Sequence, residues 1–252
     1  MPALPLTDGQ LDRYARHIVL REIGGTGQRR LLDARVALVG AGGIGAPAIQ
    51  YLAAAGVGRL TLIDDDAVAR SNLQRQVLYG TVDIGRPKVA AAQDATARLN
   101  PDVQVEPRAV RLDAGNAAML LADADVVIDG SDNFATRLVV SDACTTARVP
   151  LVSAAVGPFD GQLAVYRGWG NDKPCYRCLV GQDPARAEAS CADQGVLGAL
   201  TGMVGALAAL EAIRAIVPFG TDPVGTLLLM DALHFRFRTI RLPKDPGCRC
   251  AG

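Results

Sequence analysis

The chain has 252 residues, enough for one large α/β domain or two small ones with a substantial buried core. Half of them are hydrophobic and 21% are charged, which excludes disordered and fibrous classes, and 26 Lys+Arg against 26 Asp+Glu leave no global basic field for nucleic acid. Six cysteines are too few for a disulfide scaffold, and the opening stretch Met1 to His17 lacks the charged and apolar regions of a signal peptide, so a reducing cytoplasm is expected.

In chain order, residues 1–30 form a helical arm. Arg35 to Val39 is a short apolar run ending in glycines, Ile44 to Ala55 has a helical pattern, and Leu60 to Ile63 is a second apolar run. Together they predict a βαβ unit. A second half follows: a helix over Lys88 to Leu99, an alternating strand over Val103 to Glu106 and a continuous apolar strand over Asp125 to Ile128. After a helix from Phe134 to about Arg148, Pro150 to Val156 and Gln162 to Tyr166 read as further strands of one sheet. Residues 167–193 are rich in Gly, Pro, Asp and Ala and read as a long crossing loop.

The 17 uncharged residues Gln194 to Leu210 fall short of a bilayer span, so a core or interface helix is expected over about 196–217, with Gly198, Gly202 and Gly205 allowing close packing. The apolar runs Thr226 to Met230 and Leu233 to Leu242 finish the domain before the tail PKDPGCRC. The expected architecture is a single α/β domain with a Rossmann-like, doubly wound sheet, mainly parallel, that continues into mixed or antiparallel strands. Its core is residues 35–166, and residues 194–252 close it.

Gly40-Ala-Gly-Gly-Ile-Gly45 fits G-x-G-x-x-G between a strand and a helix, where free N–H groups and the helix dipole suit a phosphate. Asp64 closes the next strand and can accept from ribose hydroxyls, with Asp65 and Asp66 extending the acidic cluster. To this point a nicotinamide-dependent dehydrogenase is an equal reading. Ser71-Asn-Leu-Gln-Arg-Gln76 and Gly85-Arg-Pro-Lys88 then add two guanidiniums and an ammonium. Dinucleotide sites rarely need three cations, whereas a triphosphate with a leaving pyrophosphate does. A solvated basic loop is the bland alternative.

These segments, together with Arg13-Tyr-Ala-Arg16, Asp129-Gly-Ser-Asp-Asn133, Cys175-Tyr-Arg-Cys178 and Ser190-Cys191, resemble the MoeB/ThiF/HesA family of ubiquitin-activating-enzyme-like adenylyltransferases, in family order and over nearly the whole chain. The resemblance implies that the C-terminal glycine carboxylate of a small ubiquitin-like sulfur carrier attacks ATP, giving an acyl-adenylate and pyrophosphate. It implies nucleotide contacts from Gly40, Gly42, Gly43, Gly45, Asp64, Asp66, Ser71, Asn72, Leu73, Gln74, Arg75, Lys88, Asp132 and Asn133. Arg75 and Lys88 would face the triphosphate. Asp132 would hold Mg²⁺ or orient the reacting phosphate, with a helix N-cap as its alternative role. Arg16 would reach into a partner subunit's site, which implies a homodimer; a surface charge is the alternative.

Cys175-x-x-Cys178 has a chelating spacing, and the family closes the zinc site with a second C-x-x-C. Here the second pair is Cys248-x-Cys250, one residue shorter. A four-thiolate zinc site is expected, against a metal-free site or a redox dithiol; a thioredoxin-like pair is disfavoured because such a pair opens a helix and this one reads as loop. Cys191 lies outside both pairs and is either a covalent nucleophile or a loop thiol. Cys144 reads as core, and His17 and His234 have no ligand pattern. The chain ends just after Cys250, so a separate cysteine desulfurase or sulfurtransferase would supply sulfur. The pathway, molybdopterin or thiamin, stays open. An ATP-dependent tRNA-modifying dehydratase, the nicotinamide oxidoreductase and a carrier-binding scaffold without catalysis are the competing classes.

Overall fold

The computed structural model describes residues 5–182 and 195–251. Three helices open the chain, α1 (Asp8–Arg13), α2 (Ala15–Ile18) and α3 (Gly24–Asp33). α1 begins at a capping box in which Thr7 Oγ1 accepts from the Gln10 backbone and the Gln10 side chain accepts from the Thr7 backbone. The arm is pinned to the body by Tyr14, which is buried. Its hydroxyl accepts from Asn100 Nδ2 at 2.8 Å, and Asn100 also donates to the Ala53 carbonyl at 2.7 Å.

β1 (Arg35–Val39), α4 (Gly45–Ala55) and β2 (Arg59–Ile63) form the first βαβ unit. α5 (Lys88–Leu99), β3 (Gln104–Arg108), the short α6 (Ala117–Leu121), β4 (Val126–Asp129), α7 (Phe134–Ala147) and β5 (Leu151–Val156) follow. The chain then adds β6 (Asp160–Tyr166), α8 (Tyr176–Val180), α9 (Gly198–Ile216), β7 (Thr226–Asp231) and β8 (Arg236–Arg241). The eight strands make one sheet in the order β3-β2-β1-β4-β5-β6-β7-β8. β1 to β5 run parallel and β5 to β8 pair antiparallel, the mixed sheet the sequence predicts. β4 is buried along its whole length and β1 beyond its first residue, as continuous apolar runs require when helices cover both faces.

α9 packs against α4, β5 and β6. It is long and apolar enough to span a membrane, but its residues Leu200, Val204, Ala208 and Ala212 lie in the core. The contact with α4 depends on Gly205, where a Cβ would meet Ile44 O at 2.3 Å and Pro47 Cγ at 2.5 Å. Gly198 approaches Gln74 as closely, with 2.2 Å to its carbonyl oxygen. Gly202 does not share this role, because nothing lies within 4 Å of its Cβ position. Small residues on one helix therefore divide between a packed and an open face.

The structure adds three further details to the sequence reading. The run before the tail narrows to β8, whose six residues are all exposed at the sheet edge, so it covers no core. α6 and α8 have five residues each and fall within stretches that carry too little periodicity to read. Cys175 is the N-cap of α8, so the C-x-x-C pair opens a helix after all.

Candidate active site

The sheet order reverses between β1 and β4, and such a switch point leaves a crevice outside the carboxyl ends of the two strands. A cavity of about 340 Å³ occupies it. The turn after β1 forms one wall. Gly40 has φ +90°, and a Cβ on it would lie 3.1 Å from the Gly130 carbonyl, so the β1 and β4 loops meet through backbone. The N–H groups of Gly42, Gly43, Ile44 and Gly45, the free donors at the start of α4, have no partner among the described residues. Gly43 abuts Thr201 of α9, whose side-chain atoms lie 3.1 Å from its Cβ position.

Asp64 leaves β2 and ties the walls together. Its Oδ2 accepts from Ala41 N at 2.7 Å and its Oδ1 from Asp66 N at 2.9 Å. Burial pushes the Asp64 carboxyl above the usual range, while the Lys88 charge and the two backbone bonds pull the other way. Lys88, the first residue of α5, is buried with Nζ 2.6 Å from Asp66 Oδ2 and 3.8 Å from Asp64 Oδ1. Asn72 and Arg75 come from the loop after β2. Asn72 Oδ1 accepts from Ala69 N, and Arg75 donates to the Ser71 carbonyl at 2.9 Å without meeting a carboxylate among the described residues.

The β4 loop supplies the last wall. Asp132 is exposed on the cavity, and its carboxylate has no partner among the described residues. Asn133, one residue on, caps α7 by accepting from Thr136 N at 2.8 Å, so the N-cap role considered for Asp132 belongs to its neighbour.

Nine expected nucleotide contacts thus line one cavity: Gly40, Gly42, Gly43, Asp64, Asp66, Asn72, Arg75, Lys88 and Asp132. Gly45, Ser71, Leu73, Gln74 and Asn133 do not line it. Gly45 is needed by the turn itself, since a Cβ there would fall 2.0 Å from Gly40 O. Arg16 is exposed on α2 and also lies off the cavity wall. Cys191 lies outside the described residues. Sequence reasoning missed Gln76, whose Oε1 is buried without a partner among the described residues, and Arg137, a buried guanidinium on α7.

A second cavity of about 410 Å³ lies over the outer strands, lined by Gln162, Leu229, Asp231, Arg236 and Arg238 among others; Val156 lines both. It is the larger, but it has neither the glycine turn nor a buried cation, so the chemistry is assigned to the smaller one.

The four expected metal ligands also meet. Cys175 Sγ lies 3.6 Å from Cys248 Sγ, Cys178 Sγ lies 3.7 Å from Cys250 Sγ, and all four sulfurs fall within 4.8 Å of one another. The tail is thereby brought onto α8. Burial pushes the Cys175 thiol up to about 11; burial also raises Cys248, but hydrogen bonds from the Cys250 backbone and neighbouring side chains outweigh it and bring that thiol to about 7. Four converging thiols are a donor set that suits tetrahedral zinc, and the shortened C-x-C does not prevent their convergence.

The family model described as the ThiF family matches residues 14–250. The chain is 47% identical to the SAMP-activating enzyme E1 of Haloferax volcanii, over 99% of this chain and 92% of that protein. It is 46% identical to the sulfur carrier protein adenylyltransferase of Thermus thermophilus, over 98% of this chain and 92% of the relative. The molybdopterin-synthase adenylyltransferase of Escherichia coli is 42% identical, over 98% of each chain. Among solved structures, E. coli MccB with ATP superposes with a TM-score of 0.82 at 23% identity, over 95% of this chain and 74% of that one, a likeness of fold. With its glycine turn, cation-lined crevice and paired cysteines in order along nearly the whole matched length, the chain belongs to the ThiF family.

Proposed function

We propose that this protein is an ATP-dependent adenylyltransferase that activates the C-terminal glycine carboxylate of a ubiquitin-like sulfur carrier for molybdopterin or thiamin synthesis. One observation carries the reading: the crevice unites free α4 N–H groups, Lys88, Arg75 and Asp132 around a space of nucleotide size. The names of relatives at 42–47% identity support it.

In the reaction, a carboxylate oxygen of the carrier forms a bond to the α-phosphorus, and the bond from that phosphorus to the bridging oxygen breaks. Pyrophosphate leaves with the electron pair, and no proton moves. The protein's work is to position two anions and to stabilise the charge that gathers on the leaving group. The α4 N–H groups and Asn72 cradle phosphate, Asp64 and Asp66 hold the ribose, and Arg75 and Lys88 face the departing pyrophosphate. Lys88 then exchanges part of its contact with Asp66 for phosphate oxygen. Asp132, with its free carboxylate, is suited to hold a Mg²⁺ ion, which would neutralise phosphate charge. Arg16, exposed and off the cavity wall, is assigned to the partner site of a homodimer. The larger groove, which shares Val156 with the cavity as a wall, offers an extended carrier tail a route toward it. Zinc on Cys175, Cys178, Cys248 and Cys250 would tie the tail to α8. A separate protein supplies sulfur, Cys191 is a candidate for covalent transfer, and the compartment is the cytoplasm.

The test is mass spectrometry of two carriers ending in Gly-Gly, one from each pathway, after incubation with the protein, ATP and Mg²⁺. A gain of one adenylate on either supports the reading and names the pathway; no gain on either, from protein that binds ATP, contradicts the carrier assignment. The homodimer and Arg16 are tested by mixing Arg16→Ala with Lys88→Ala. An arginine supplied in trans restores about a quarter of wild-type activity, because half the dimers then hold one intact site; an arginine acting within its own chain restores none.

A further inference from the structure

Three basic side chains are buried in the described structure: Lys88, Arg137 and Arg177. Two of them have acids beside them. Lys88 meets Asp66 and Asp64, and Arg177 holds Asp142 in a two-pronged contact at 2.7 Å from each nitrogen. Arg137 differs. Its guanidinium donates to two backbone carbonyls, Ala154 O at 3.1 Å and Ser131 O, and no carboxylate lies within ion-pair distance of it among the described residues. Asp129, at the end of β4, turns instead to Ser131, accepting from its N at 3.0 Å and its Oγ at 2.7 Å, and Asp132 of the β4 loop makes no ion pair with Arg137.

A guanidinium stays charged at any accessible pH, and a buried charge without a counter-ion costs several kcal/mol. Capping two carbonyls needs no net charge. A full cation that also lines the cavity is therefore surplus to a structural role, unless an anion arrives. The two carbonyls fix the guanidinium between the ends of β4 and β5, with its remaining N–H groups uncommitted among the described residues. This is the side of the cavity where Val156, on β5, lines both it and the outer groove. Lys88 lies on the other side, against Asp64 and Asp66 at the end of β2, while Arg75 stands beside the start of α9.

Resting on the adenylation reading, we propose that Arg137 binds the carboxylate of the incoming carrier tail and holds it against the α-phosphate. One N–H contact to the oxygen that does not attack leaves the other free to bond to phosphorus, and the cation offsets the repulsion between a carboxylate and a triphosphate. Arg137 is thus a catalytic residue of the acceptor side, separate from the cations on the pyrophosphate side.

The experiment compares a Gly-Gly carrier bearing its free carboxylate with the same carrier ending in a carboxamide. Binding of each is titrated against wild type, Arg137→Gln and Arg137→Lys, alongside ATP affinity, the urea midpoint and carrier-dependent ATP–pyrophosphate exchange. The wild type should prefer the carboxylate by about tenfold or more. R137Q should lose that preference and about 10²-fold to 10³-fold of exchange, with ATP affinity within about threefold. R137K keeps the charge, so it should retain part of both even if R137Q folds poorly. R137Q that still prefers the carboxylate, or in which ATP affinity, midpoint and preference fall together, or R137K that retains no more preference than R137Q, overturns the assignment and leaves adenylation standing. Wild-type protein without carrier-dependent exchange overturns the underlying reading and this one with it.

Discussion

Replacing Lys88 by Met separates catalysis from folding better than any other change in the cavity. Methionine keeps the buried stem and deletes the charge. The lost contacts are 2.6 Å to Asp66 and 3.8 Å to Asp64, yet the Asp66 side chain is 66% exposed, so solvent screens most of that pair. The screened pair with Asp66 is worth about 0–1 kcal/mol; Asp64 is itself buried and loses its cation, but it keeps two backbone hydrogen bonds, and relieving a buried ammonium offsets part of the loss. The stability change should stay within about 2 kcal/mol. The rate change should be far larger, because removing a fixed donor from developing charge raises the barrier by about 3–4 kcal/mol, or about 10²-fold to 10³-fold. ATP–pyrophosphate exchange and urea unfolding, run on one preparation, compare the two. Exchange within about threefold of wild type would refute the placement of Lys88 against the leaving group, as would a midpoint that collapses in step with activity.

Three further outcomes follow from the geometry. Gly205→Ala should destabilise the protein by about 3 kcal/mol, because its Cβ meets rigid backbone at 2.3 Å, whereas Gly202→Ala should be neutral or stabilise by up to about 1 kcal/mol; equal effects by denaturation would contradict the packing of α9 on α4. Asp64 has a raised carboxyl, so its contribution to stability is present below about pH 4 and lost as pH rises through the raised value; the stability of wild type relative to Asp64→Asn should fall from about pH 4 to pH 7, and a rise would mean that Lys88 outweighs burial. Metal analysis should find about one zinc per chain, and Cys250→Ser should weaken its retention and lower the melting temperature together. Protein purified under reducing conditions with no zinc, and indifferent to a chelator, would contradict the four-thiolate site.

The parts of this structure that were legible in the sequence are those where one physical demand sets several residues at once. Burial on both faces makes β1 and β4 apolar runs, and the tight turn between strand and helix demands glycines at Gly40 and Gly45. The clustering of thiols likewise shows in the spacing of Cys175 and Cys178. Less was legible where the demand is tertiary. Gly202 and Gly205 look alike in sequence, and only the position of α4 tells them apart. α8 is a single turn and a half, too short for a period to emerge, although its N-cap is Cys175, the first of the four clustered cysteines. Leu233 to Leu242 has the composition of a covered strand but lies at an open edge, where arginines alternate with Phe237 and Ile240. Arg137 did leave a signal. It falls on the stripe of Val140, Ser141 and Cys144 that α7 buries, and a charge on a buried stripe asks for an explanation that the local pattern does not supply.

The central claim is that ATP is split between its α- and β-phosphates by a carrier's carboxylate. ATP–pyrophosphate exchange by the purified protein, alone and with carriers ending in Gly-Gly, measures that step directly. The account predicts exchange that requires one carrier and vanishes when its terminal carboxylate is blocked as the amide. Exchange that ignores the carrier, or ATP bound without exchange in the presence of either carrier, would contradict it.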